Sequence, residues 1–188
     1  MATSTLTQRL SQLAADRGAP DGVEHELFVS FVRAATPQLR TAFRARHSDE
    51  EVFDILCQML KTAQVLRSDP LVELHDADGS TVIQSVMADQ AFIVDTVMLT
   101  LRTQELDYHS GFNLVLGMGR NPEGELVSVD GESDPLESLI YVDTDGLEDQ
   151  APLKDELQSN LRLSKAVVGD FEAMTTLVTE KSTQLLRT

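Results

Sequence analysis

Hydrophobic positions recur at threes and fours over the first third of the chain, at twos through much of the middle, and at threes and fours again toward the end. Residues i, i+3 and i+4 share one face of a helix, whereas alternate residues share one face of a strand. Leu6, Leu10 and Leu13 therefore predict a helix over Thr3 to Ala15, closed by the break Gly18-Ala19-Pro20-Asp21-Gly22. From Val23 the stripe Leu27, Phe28, Phe31, Val32 and Ala35 predicts a second helix. Pro37 fits the first turn of a further helix holding Leu39 and Phe43, because a helix start has no use for the N–H that proline lacks. Ser48 and Glu51 have the spacing of a capping box, and Val52, Ile55, Leu56, Met59, Leu60 and Ala63 form the apolar stripe of the helix behind it. Ser68-Asp69-Pro70 ends this part.

After Pro70 the period changes. Leu71 to His75 and Thr81 to Met87 predict two strands, joined by the hairpin signal Asp76-Ala77-Asp78-Gly79. Asp89 is placed to cap a helix from Gln90 to about Gln104, with Ile93, Val94, Val97, Met98 and Leu101 as its stripe. Tyr108 to Met118 alternates Phe112, Leu114, Leu116 and Met118. The turn Asn121-Pro122-Glu123-Gly124 leads to a short strand, Glu125 to Val129, then a polar loop from Asp130 to Asp134 and a strand at Leu139 to Val142. From Ala151 the stripe Leu153, Leu157, Leu161, Val168, Phe171, Met174, Leu177 and Val178 predicts a long helix, with Gly169 as a place where it kinks or divides. The order from residue 70 is strand, strand, helix, strand, strand, strand, helix. It predicts an α+β sandwich, a mixed or antiparallel sheet with helices on one face. The chain divides into a helical N-terminal region, 1–67, and an α+β domain, 68–188, ending in the long helix.

Composition narrows the function. A chain of 188 residues with 41% hydrophobic content can fold without a disulfide or metal. Its one cysteine, Cys57, has no partner for an intramolecular disulfide and lies in the Val52–Ala63 helix, where a structural thiol is the simplest reading. The amino terminus lacks the apolar core of a signal peptide, and no run reaches membrane-spanning length, so a cytoplasmic protein without membrane contact is expected. A net charge of −16 repels nucleic acid, and no nucleic-acid partner is expected. The acidity serves solubility in the simpler reading; the acid-rich stretch Glu123 to Glu156 as a docking face for a basic surface is the other.

Candidate chemistry is sparse. His25, His47, His75 and His109 are not paired at metal-ligand spacing. Gly117-Met118-Gly119 is half of a dinucleotide fingerprint, with Pro122 where the helix would open. Asp76-x-Asp78-Gly79 and Asp143-x-Asp145-Gly146 lack the remaining ligands of a calcium loop. No nucleophile–base pair or cofactor loop appears, so a small independent enzyme is the least supported class. The segment Met87-Ala88-Asp89-Gln90-Ala91 joins a strand to a helix start, where free N–H groups can receive a carboxylate. Ala88, Asp89, Gln90 and Asp95 are accordingly the candidate effector-binding residues. For Asp95, one turn into the helix, a simple electrostatic role near the helix start competes with ligand binding.

Gln90-Ala91-Phe92-Ile93-Val94-Asp95-Thr96-Val97 resembles the Met-Pro-Phe-Leu-Val-Asp-Ser-Val type segment near the amino terminus of the large bacterial NAD-dependent glutamate dehydrogenases. Leu114-Val115-Leu116 followed by Arg120-Asn121-Pro122-Glu123-Gly124-Glu125-Leu126 is similar to that family's hairpin, and Glu137-Ser138-Leu139-Ile140-Tyr141-Val142-Asp143 to its Glu-Ser strand. The resemblance covers about Leu71 to Met174. It departs at Gln90-Ala91, where Met-Pro is usual, and at His109-Ser110-Gly111-Phe112-Asn113, where an Ile-x-x-x-x-His-Pro type run is usual. The resemblance implies an ACT-like (ferredoxin-like) regulatory domain with no catalysis and no cofactor of its own. It also implies a parent enzyme that deaminates L-glutamate to 2-oxoglutarate with NAD. The partners it implies are the other domains and subunits of that enzyme, and an amino-acid effector bound between paired modules. A stand-alone acidic protein-interaction or small-molecule-binding domain is the alternative.

Overall fold

Two reciprocal caps fix the first helices. In the computed structural model, which describes residues 5–66, 70–130 and 134–185, Thr5 accepts from the Gln8 N–H and the Gln8 side chain accepts from the Thr5 N–H, opening α1 (Leu6–Arg17). Ser48 and Glu51 do the same, at 3.2 and 2.7 Å, for α4 (Asp49–Ala63). Each box satisfies two donors that a helix start otherwise leaves open. Thr3, Ser4, Ser68, Asp69 and residues 131–133 lie outside the described residues; of 172–174 and 176–185 only the main chain is described, which leaves out the side chains of Met174, Leu177 and Val178.

Between those helices lies α2 (His25–Ala35), with its whole expected stripe buried. The helix expected after Pro37 is split. Pro37 sits in a 3-10 turn, Thr36–Gln38, then Leu39 is extended, and only a four-residue helix α3 (Thr41–Arg44) follows. Leu39 and Phe43 both still reach the core.

The strands β1 (Leu71–Ala77) and β2 (Ser80–Ala88) form a hairpin whose two loop residues, Asp78 and Gly79, both take positive φ, +44° and +93°. That is the twist-matched two-residue turn that Asp-Gly favours. α5 (Ile93–Thr103) follows, then β3 (Tyr108–Arg120), β4 (Leu126–Val129), β5 (Leu136–Asp145) and α6 (Ala151–Leu185). The sheet order is β1-β2-β5-β3-β4 and every neighbour is antiparallel. β2 and β3 therefore run parallel on either side of β5, with α5 crossing between them, the split β-α-β unit of ferredoxin-like folds. The order of elements read from the sequence is the observed one, and the expected ACT-like α+β class stands.

Alternation sends the strand residues to two cores. Val82, Val86, Phe112, Leu114, Leu116, Met118, Leu139 and Tyr141 face α1–α4, where Phe43 meets Phe112 edge-on at 4.9 Å and Phe112 stacks on Tyr141 at 5.2 Å. Ile83, Met87, Ile140 and Val142 face the other way, under α5 and the first part of α6. The sheet thus carries helices on both faces: α5 and α6 on the expected one, the N-terminal helices on the second. At the end of the first core, Arg120 makes two bonds to Glu137, at 2.7 and 2.8 Å, with both side chains largely buried, and donates to the Gly124 carbonyl at 2.9 Å. α6 runs through Gly169 without dividing, so that glycine is no boundary; the helix ladder tolerates a glycine at the cost of propensity alone. Among its described side chains Leu161 is the last that is buried, and Leu163, Val167 and Phe171 are exposed.

Candidate functional site

α5 does not start where the sequence places it. Asp89 is not its cap: its N–H donates to the Leu136 carbonyl at 2.9 Å and its carboxylate accepts from the Ser138 hydroxyl at 2.6 Å. The chain is thus held to β5 past the end of β2 and turns only at Phe92, whose φ of +68° is a left-handed conformation rare for a bulky residue. Phe92 gives α5 no side-chain cap, so the first-turn N–H groups stay available.

The four candidate residues do not converge. Ala88 is exposed at the end of β2, and Asp89 is engaged with β5. Gln90 reaches α6, its amide 3.5 Å from the Ser164 hydroxyl. Asp95 is exposed in the first turn of α5, where its own negative charge complements the helix start.

A cavity of about 250 Å³ opens instead on the flank of α5 that faces β3. The strand residues turned to α5 here are small or polar, Gly111 and Asn113, and the helix sits over β2 and β5, so this strip of sheet is left bare. Val94, Val97 and Met98 of α5 and Ile140 and Val142 of β5 make an apolar wall, Tyr108 closes one end, and Arg40 of the helical layer reaches the rim. Asn113 Oδ1 is buried with no donor. Gly111 cannot carry a side chain: a Cβ there would lie 2.4 Å from the Tyr141 carbonyl oxygen and 3.2 Å from the Tyr108 ring. Sequence reasoning missed this cavity, because Arg40 and Asn113 meet only through tertiary packing; the one local signal was the small and polar pair Gly111 and Asn113 on the face of β3 opposite its apolar stripe.

Several of the other chemistry-bearing residues have structural places. Cys57 is half-buried against the first core, and burial pushes its thiol up to about 11, which keeps it protonated and unreactive near neutrality. Burial likewise pushes the Tyr141 hydroxyl up to about 12, with Asp143 adding to the effect. His109 pairs with Asp145 at 3.1 Å, and His47 packs on the Phe43 ring at 4.4 Å. Asp78-Gly79 is the hairpin turn already described, and Gly117-Met118-Gly119 lies within β3. Among the described residues no helix is long and apolar enough to cross a membrane.

A split β-α-β sheet flanked by α5 and α6 defines an ACT-like α+β fold. The sequence profile of one family, described as glutamate dehydrogenase, ACT1 domain, matches residues 51–161, more than half of the chain. The chain belongs to that family and is an ACT-like regulatory region of a glutamate dehydrogenase. The match ends at Leu161, the last buried residue of α6 among those whose side chains are described. Comparison with curated proteins and with solved structures gave no match.

Proposed function

We propose that this chain is the non-catalytic regulatory and assembly segment of an NAD-dependent glutamate dehydrogenase, whose parent reaction is the oxidative deamination of L-glutamate to 2-oxoglutarate. The observation that carries the reading is the match to the ACT1 domain over the whole sheet, from α4 to Leu161 in α6. NAD is bound by the parent enzyme and not by this segment. The partners of the segment are the other domains and subunits of the parent, in the cytoplasm. An amino-acid effector bound near the start of α5, beside Ala88, Asp89, Gln90 and Asp95, belongs to this reading. The uncapped first turn supports it, and the carboxylate of Asp95 at the same helix end weighs against an anionic ligand there.

Two measurements test the reading. The parent enzyme is assayed with NAD and with NADP while glutamate, aspartate and arginine are varied, with and without this segment. Loss of effector response with retained basal turnover is expected when the segment is absent. Unchanged effector response without the segment would refute the regulatory role, and a preference for NADP would refute the cofactor assignment.

A further inference from the structure

The cavity beside α5 has three chemical features, and together they select a ligand. The first is cationic. Arg40 lines the rim and has no carboxylate partner among the described residues, in a chain with 31 acidic and 15 basic residues. The second is apolar: Val94, Val97, Met98, Ile140 and Val142. The third is an unmet acceptor, Asn113 Oδ1. A buried amide oxygen without a donor costs free energy that a ligand N–H would recover.

The main chain of β3 points the same way. The strand edge facing away from β5 is covered on both sides of Asn113 by the helical layer. Gln38 takes both the N–H and the C=O of Val115, each at 2.9 Å, and Arg46 donates to the His109 carbonyl at 2.6 Å. By the two-residue alternation of a strand, the N–H and C=O of Asn113 face that same edge. Among the described residues they have no such cover.

We infer that this cavity binds a small monocarboxylate with a short apolar chain. Its carboxylate pairs with Arg40 at the open β3 edge, its chain lies against Val94, Val97 and Met98, and an α-amino group, where present, donates to Asn113. Arg40 lies outside the matched residues 51–161, so the helical layer completes the site. Binding follows from the cavity itself; its regulatory consequence rests on the function proposed above.

Calorimetric titration of the full chain tests this with valine, methionine, 3-methylbutanoate (the same tail without the amine), 2-methylpropylamine (without the carboxylate) and glutamate. Valine, methionine and 3-methylbutanoate are expected to bind, and 2-methylpropylamine and glutamate to bind at least about tenfold more weakly, the scale of one lost charge-assisted hydrogen bond or one misplaced charge. Arg40→Met, at an exposed position that leaves the fold intact, should weaken the carboxylates by about tenfold or more. Val94→Trp should occlude the cavity, and Asn113→Ala should erase the preference for valine over 3-methylbutanoate. No binding by any carboxylate at millimolar concentration overturns the inference, as does binding unchanged in both Arg40→Met and Val94→Trp. Binding that survives those changes and is lost in Gln90→Ala moves the site to the β2–α5 turn, which sinks this inference and leaves the regulatory function standing.

Discussion

The two faces of the sheet are built to different standards. The face under α1–α4 is closed by large side chains: Phe28, Phe31, Phe43 and Phe53 pack with Phe112 and Tyr141, and a buried ion pair locks its far end. The face under α5 and α6 has a smaller core, Ile83, Met87, Ile140 and Val142 beneath two helices, and the strip of β3 at Gly111 and Asn113 is left uncovered. A close-packed layer resists change because any void or unpaired group in it is costly. A layer that leaves a cavity beside an unmet polar atom has capacity to respond to what fills it. The helical layer of α1–α4 thus supplies the close-packed face, and the α5 face holds the adaptable surface.

The contrast can be broken most directly by removing residues 1–66. The apolar face of Phe112, Leu114, Leu116, Leu139 and Tyr141 would then meet water, and the remaining chain should lose its sharp cooperative unfolding and bind a hydrophobic dye. Sharp two-state melting of the truncated chain would show that the two layers are independent. Next in size, Arg120→Met strands the Glu137 carboxylate in a largely buried place and should cost about 3–5 kcal/mol in denaturant unfolding. A loss below about 1 kcal/mol, the range of exposed pairs, would mean that water reaches the pair.

A finer comparison sets Leu114→Ala, on the closed face, against Met98→Ala, on the cavity wall. Leu114 is fully buried and its truncation should cost about 2–5 kcal/mol, whereas Met98 already borders open space and should cost well under half of that. Equal losses would mean that the cavity is filled in solution. The smallest expected effect lies at the amino-terminal caps. Ser48→Ala should cost about 1 kcal/mol through the lost cap. Glu51 is held below the usual carboxylate range by the Ser48 N–H and hydroxyl, and Asp49 by its bond to Arg9. A lowered folded pKa contributes stability that is present above the ordinary carboxylate values and lost as pH falls through the lowered ones. Denaturant midpoints should therefore drop on acidification below the ordinary carboxylate range, and the drop should be shallower in Glu51→Gln. An unchanged slope in that variant would remove the capping carboxylate from the account.

What the sequence showed depended on how local the cause was. The Ser48–Glu51 box, the Asp78-Gly79 turn and the Phe112–Met118 alternation each arise from contacts within a few residues, and each was legible. The start of α5 was not, because Asp89 is drawn away by Ser138 and Leu136, 49 residues on in the case of Ser138. The coverage of the second sheet face was illegible too, since an apolar stripe tells that a helix is buried and not what it is buried against. The cavity was hidden for the same reason: no spacing rule joins Arg40 to Asn113.

The long last helix has a mechanical consequence. At 1.5 Å per residue, the part of α6 beyond Leu161 extends about 36 Å from its seat on the sheet. Its base is seated on α5 and β1. A tilt of about 5° at that base would swing the tip of such a helix by about 3 Å. In a rigid rod of this length a small tilt at the base becomes a displacement of several ångströms at the tip.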